Sequence, residues 1–236
     1  MRRVDVSLEE LLNFLEAYRL EGVAKDEKLR TDLKAVYRRY RTLLIWHHYL
    51  SHSAAWETNA QRRTTFLEYY TECVSDAAQS LLIASQGMYK PAYLILRSAV
   101  ENHFKCIGIL HGIDISTITN VFSLVDEIKK TSVATSTKVG KNHFEWLRAE
   151  YARLCEHVHT ANHLHMSQTN LLGVFPRYDR VSAAAFFSGS ATTVATSIAA
   201  LNCLMLVRAF RKMHHTNFDQ ICDILPKATR SQLAEL

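Results

Sequence analysis

The sequence predicts an all-α fold, an antiparallel multi-helix bundle in a single domain. Three observations carry that expectation. Apolar residues recur at three- and four-residue spacing through most of the chain, the period of one face of an α-helix. Only seven glycines and three prolines punctuate 236 residues, too few turns for a many-stranded protein. Hydrophobic residues make up 48% of the chain and charged residues 22%, a composition able to bury a core and unlike that of a disordered chain.

Ser7 and Glu10 have the spacing of a capping box, and Leu8, Leu11, Leu12 and Leu15 share one face of a first helix that ends near Gly22. A second helix is expected from about Asp26 to Ser53, with Leu29, Leu33, Val36, Tyr40 and Leu43 as its apolar stripe. The third, from about Asn59 to Ser85, carries Phe66, Tyr70, Cys73 and Ala77 and closes at Gln86-Gly87. Pro91 suits the first turn of a fourth helix that continues to about Leu110. Ser116 to Lys130 reads as a shorter amphipathic helix, and the polar run Thr131 to Lys141 as a mobile loop. A further helix begins near Asn142. Gly173 and Pro176 then break the chain before a long helix, and a last short one covers Asn217 to Leu225. Residues 1–56 are expected to pack as N-terminal helices on a core formed by 57–236, in one continuous domain.

Charge and cysteine usage narrow the functional classes. The net charge of +5 suits a polyanionic partner without requiring one. Five scattered cysteines with no C-x-x-C pair argue against a thiolate zinc site or a disulfide framework and for a reduced, cytoplasmic protein. The start MRRVDVSLEELL has acidic residues where a signal peptide needs an apolar run, so no targeting segment is expected. Val181 to Val207 has no charged side chain and is long enough to span a bilayer. Its Ser, Thr, Ala and Gly content marks a buried core helix instead, and no membrane association is expected. There is no glycine-rich phosphate loop, and no cofactor is expected.

The stretch RAEYARLCEHVHTANHLHM, Arg148 to Met166, concentrates the chemistry. Glu156, His159 and His163 could share a helix face, and His48 and His52 form another i, i+4 pair, a spacing that suits imidazole ligation of zinc, nickel or iron. The chain has no H-E-x-x-H, and no metal ligand set is assigned. Alternatively, histidines at a helix C-terminus simply complement its dipole. A third reading starts from Arg153 and His159, which give R-x5-H: a guanidinium can hold a phosphate while an imidazole moves a proton at a ribose hydroxyl. Arg38, Arg39 and Arg41, interleaved with Tyr37 and Tyr40, form a basic patch that could follow a nucleic-acid backbone or be a solvated helix face.

A second motif accompanies the third reading. GMYKPAYLILRSAVENHFK, Gly87 to Lys105, sets Arg97 and Glu101 one turn apart, and some fifty residues later come Tyr151, Leu154, Val158 and His159. With these motifs, residues 60 to 210 resemble the HEPN superfamily and abortive-infection-type bacterial helical proteins. Leu154 after the arginine and Ala161 two residues past the histidine depart from the usual pattern of its ribonucleases. The resemblance implies a HEPN-like bundle acting as a metal-independent endoribonuclease of a toxin or phage-defence system. It would be a homodimer whose two motifs share one cleft. It implies that Arg153 clamps the scissile phosphate, that His159 is the acid/base, that Arg97 and Glu101 orient them from the neighbouring helix, and that His157 assists. RNA would be the substrate, and an antitoxin or defence protein the partner. Two alternatives stand beside it: a non-catalytic module of the same fold binding a protein or nucleotide, and a histidine-based metal-dependent enzyme.

Overall fold

The structure, a computed structural model, describes residues 26–159 and 178–235 together with Asp5, Leu8, Glu9, Leu12 and Asn13; the side chains of Val158 and His159 lie outside that description. Every regular element among the described residues is helical. The long helices are α1 (Glu27–His52), α2 (Ala60–Ser85), α3 (Tyr89–Leu110) and α6 (Lys138–His159). Two short ones, α4 (Val121–Ile128) and α5 (Ser132–Thr135), lie between α3 and α6. The long α7 (Arg180–Met205) follows, and α8 (Val207–Arg211), α9 (His215–Ile224) and α10 (Lys227–Glu235) complete the chain. The capping box at Ser7 and Glu10 and the stop at Gly22 lie outside the described residues.

Local chemistry sets the helix ends. The side chains of Asp26, Asn59 and Asn120 accept from the backbone N–H groups of Leu29, Arg62 and Ser123, replacing partners that a first helical turn lacks. Gly87 (φ 75°) and Gly112 (φ 73°) end α2 and α3 in the left-handed region that other residues enter at a cost.

The bundle is built around α3, which pairs along its length with α2 and runs antiparallel to α6. Tyr93 of α3 meets His157 of α6, Glu101 meets Tyr151, and Phe104 meets Phe144. Helix α7 packs against α6 and α1, so the uncharged segment becomes an inner wall. It alone among the described helices is long and apolar enough to cross a bilayer, and 61% of its most apolar window is buried inside the bundle. One hydrophobic cluster runs from Leu8 to Leu233, with Trp46, Phe66, Tyr70, Phe104, Phe144, Phe186, Phe187 and Phe210 fully enclosed. Burial of side chains of this size contributes about 1.5–3 kcal/mol each.

The first expected helix and the break at Gly173 and Pro176 lie outside the described residues; from the second helix onward the expected elements are present among the described residues, with three differences. The segment read as a mobile loop is helical: it forms α5, and α6 starts at Lys138 instead of Asn142. Thr137 Oγ1 accepts from the Gly140 N–H at 3.0 Å, and Gly140 sits so close to the Val133 carbonyl that an added Cβ would lie 2.7 Å from its oxygen. The polar side chains there serve as caps and turn closures, which composition alone does not separate from a loop. The 116–130 helix divides into a 3-10 turn, Ile115–Thr117, and α4, because Asp114 and Asn120 each cap a new start. Lastly, α10 follows α9 directly, with Pro226 ahead of its first residue.

Two histidines inside this core are expected to make its stability sensitive to acid. His103 is fully buried with neither ring nitrogen hydrogen-bonded, and His143 is bonded through Nε2 to Thr229 Oγ1 at 2.8 Å. Burial depresses them to about 3 and about 4 respectively. Both are therefore neutral in the folded state, whereas the unfolded chain protonates them below about 6.5. The stability they contribute is complete above that pH and is lost as pH falls toward the folded values, each histidine adding a slope of up to about 1.4 kcal/mol per unit. Urea denaturation should show a falling midpoint between about pH 6.5 and pH 5, and His103→Leu should flatten that fall. An unchanged slope in the variant would contradict the assignment.

Candidate functional site

Glu150, Arg153 and His157 lie at i, i+3 and i+7 on α6 and therefore share one face. Arg153 is the centre of this group. Its Nη2 pairs with Glu150 Oε1 at 2.6 Å and its Nε donates to Oε2 at 3.2 Å. Its Nη1 lies 3.3 Å from His157 Nε2, and Nη2 also meets the Ser190 hydroxyl. Because a guanidinium only donates, the contact with His157 is a hydrogen bond when Nε2 is unprotonated and the ring proton sits on Nδ1.

The other helices hold these groups in place. Tyr93 of α3 stacks its ring on His157, with centroids 4.1 Å apart and planes 6° from parallel, and the Arg153 guanidinium lies 5.6 Å from the same ring. Its hydroxyl interacts with Arg153 and Ser190, while burial pushes the phenol up. Ser190 arrives from a π-helical turn, Ala185–Ala191, in α7. The wider turn inserts one residue into the helix, and Thr192 Oγ1 closes it onto the Phe187 carbonyl at 2.7 Å. Glu150 is the most enclosed charge of the group, its side chain 11% exposed against 38% for Arg153. The carboxylate holds the guanidinium protonated against the cost of burial.

Next to Arg153 opens a groove of about 500 Å³ between α6 and α7, lined by Trp146, Glu150, Arg153, Thr192, Thr193 and Thr196. Trp146 is half exposed, and the wall opposite it carries hydroxyls. Arg39 of α1 reaches Thr196 Oγ1 at 2.9 Å. The groove thus combines one cation, one carboxylate, an exposed indole and a hydroxyl row.

Arg97 and Glu101 form a separate pair. Arg97 contacts Glu101 Oε1 through Nη2 at 2.7 Å and Nε at 2.9 Å, and the Tyr151 hydroxyl donates to the same oxygen at 2.9 Å. Burial and then that carboxylate push the Tyr151 phenol well up. Tyr93, Arg97 and Glu101 stand at i, i+4 and i+8 on α3 and Tyr151 is two residues before Arg153, so both groups occupy the same α3–α6 seam. Among the described side chains, then, the structure joins Arg153 to His157 and Arg97 to Glu101. Helix α6 continues through His159, and six residues turn a helix through about 600°. Position 159 is therefore on a different side of α6 from position 153.

Arg153, expected to clamp a phosphate, is half buried and already paired with Glu150. The arginine patch of α1 is likewise split, since positions 38, 39 and 41 are fanned round the helix. Arg39 turns to Thr196, whereas Arg38 and Arg41 turn to Asp223 and Gln220 of α9; burial pushes the Tyr40 phenol up to about 12. His48 and His52 do meet, with ring centroids 4.3 Å apart. Among the described residues no three His, Cys, Asp or Glu side chains are placed to share a metal ion. Glu150, Tyr93 and Ser190 were not singled out in the sequence. Of these, Tyr93 had a signal, its place one turn before Arg97.

Comparison with family models, with curated proteins and with solved structures finds no match to this chain. The site is therefore read from its own chemistry.

Removing the guanidinium should leave Glu150 enclosed without its counter-ion. For fully buried pairs that costs about 3–5 kcal/mol; the partial exposure of Arg153 reduces the expectation to about 1–3 kcal/mol. Urea unfolding of Arg153→Ala should show that loss, and Glu150→Gln, whose amide oxygen still accepts, should show less. Equal and negligible effects would mean the pair is not formed.

Proposed function

We propose that the chain is a HEPN-like RNA-binding protein that cleaves RNA without a metal ion, using Arg153 to hold a backbone phosphate in the α6–α7 groove and His157 to move a proton. The observation that carries this reading is the 3.3 Å contact of Arg153 Nη1 with His157 Nε2, with Arg153 lining an open groove; a phosphate that takes over the guanidinium would release that nitrogen. In the reaction, an imidazole takes the proton of a ribose 2′-hydroxyl. The 2′-oxygen attacks the adjacent phosphorus, the bond to the 5′-oxygen breaks, and the proton is returned to that leaving oxygen. The products are a 2′,3′-cyclic phosphate and a 5′-hydroxyl. Arg153 offsets charge on the phosphoryl oxygens as the new bond forms, and Trp146 offers a surface on which a base can stack. Arg97, Glu101 and Tyr151 fix α3 against α6 and so position the pair. His159 remains the other acid/base candidate at the helix end. The proposed assembly is a homodimer in the cytoplasm, where an antitoxin or defence partner would restrain it.

One observation favours a non-catalytic reading of the same groove: Glu150 and Ser190 already occupy much of the Arg153 donor set, so an RNA phosphate must displace a carboxylate. Incubating the protein with RNA in excess chelator separates the two. Cleavage to cyclic-phosphate ends is expected, with a rate per chain that rises with protein concentration as dimers assemble. His157→Ala should reduce the rate by about 10²–10⁴-fold, the usual contribution of a general base. His159→Ala, measured alongside, tests the alternative histidine. Binding without cleavage would establish the non-catalytic module, and full activity of both variants would remove the histidines from the mechanism.

A further inference from the structure

A second cleft, of about 400 Å³ between α1 and α9, shares no lining residue with the Arg153 groove. Lys34, Arg38 and Arg41 stand at i, i+4 and i+7 on α1 and line it together; Thr216, Gln220 and Asp223 do the same from α9. Ile45 and Ile224 add an apolar surface. The α1 wall of the cleft is therefore cationic and part of the lining is apolar, with Asp5 and Asp223 as the carboxylates facing those cations, a combination that suits a small anionic molecule with an apolar body.

Its three cations are not equally engaged. Lys34 pairs tightly with Asp5 at 2.5 Å. Arg38 meets Asp223 only at 3.6 Å, and that carboxylate is 63% exposed, so the pair is loose and solvent-screened. Arg41 donates through Nε to the neutral amide oxygen of Gln220 at 3.0 Å, and Gln220 is itself fixed by its Nε2 donating to the Thr216 carbonyl at 3.2 Å. A guanidinium oriented through Nε by a neutral group keeps its two Nη groups as a fork suited to a phosphate.

We infer that the α1–α9 cleft binds a small phosphomonoester with a flat, largely apolar body, the size of a nucleoside monophosphate, through Arg41 and Arg38 with Ile45 and Ile224 against the body. Asp223 competes for Arg38 when the cleft is empty of ligand and gives way when the phosphate arrives. This inference does not depend on the activity of Arg153 and His157.

Titration calorimetry of the full chain with adenosine monophosphate, adenosine and inorganic phosphate tests it. The monophosphate should bind, with adenosine and inorganic phosphate each roughly tenfold weaker or worse, since each lacks one half of the recognition. Arg41→Ala should weaken the monophosphate by roughly tenfold or more, the scale of a lost hydrogen bond to a charged group. Asp223→Asn, which removes the competing carboxylate from an exposed position, should tighten it severalfold. Arg63→Ala, on α2, should leave binding unchanged. Absence of binding, or binding indifferent to both Arg41→Ala and Asp223→Asn, would overturn the site. Inorganic phosphate binding as tightly as the monophosphate would overturn the assignment of the apolar surface to an organic body. Thermal melts of each variant show whether a loss of binding reflects a loss of fold.

Discussion

The antiparallel seam between α3 and α6 is the contact on which the rest depends. At one end Phe104 packs edge-on against Phe144 and Tyr151; in the middle Arg97, Glu101 and Tyr151 share hydrogen bonds; at the other end Tyr93 stacks on His157. The apolar end supplies burial energy, and the polar end is ordered because the apolar end fixes its register. Most of a helix's stability within a protein comes from packing of its apolar face, so the orientation of His157 is a consequence of tertiary packing. Helix α7 adds a third wall to the polar end, and its π-helical turn brings Ser190 to Arg153.

Under the proposed function that arrangement gives one cation two uses. In the resting protein Glu150 neutralises Arg153, which makes a half-buried guanidinium tolerable. A phosphate entering the groove offers the same guanidinium a similar bidentate partner. In the proposed function the exchange would conserve the pairing of Arg153 but leave Glu150 to rely on water or its neighbours, so the carboxylate would set a threshold for binding. Glu150 is therefore both the stabiliser of the fold at this point and the competitor of the proposed substrate. Substitutions at Glu150 should move stability and affinity in opposite directions, a pattern that a purely structural ion pair would not give.

The fold was legible because helix periodicity and sparse punctuation are local properties. Asp26, Asn59, Gly87 and Gly112 mark ends that the structure keeps. The segment around Thr131 to Lys141 was not legible, because its Ser and Thr residues serve equally well in loops and as caps. The π-helical turn leaves no mark in apolar spacing, and with it the link between Ser190 and Arg153 was hidden. The arginines of α1 look like one patch on paper, yet each step of about 100° per residue carries them to different neighbours. In the candidate site, Arg153, His157, Arg97 and Glu101 were readable as a set of residue types at helical spacings. Their partners were not, because Tyr93 and Ser190 lie some sixty and forty residues away along the chain and meet Arg153 and His157 only through the packing of three helices.

In the proposed mechanism Arg153 donates to Nε2 of His157 in the resting protein, and a backbone phosphate entering beside the pair draws the guanidinium away and frees that nitrogen to accept a proton. Long-range ¹H–¹⁵N spectroscopy of the histidine rings reports which nitrogen carries the proton in each. At neutral pH the account predicts His157 as the Nδ1–H tautomer, with its Nε2 signal perturbed on adding an oligonucleotide whose 2′-hydroxyls are replaced so that it cannot be cleaved, and with that perturbation lost in Arg153→Lys. An Nε2–H tautomer, or a signal indifferent to the oligonucleotide, would contradict it.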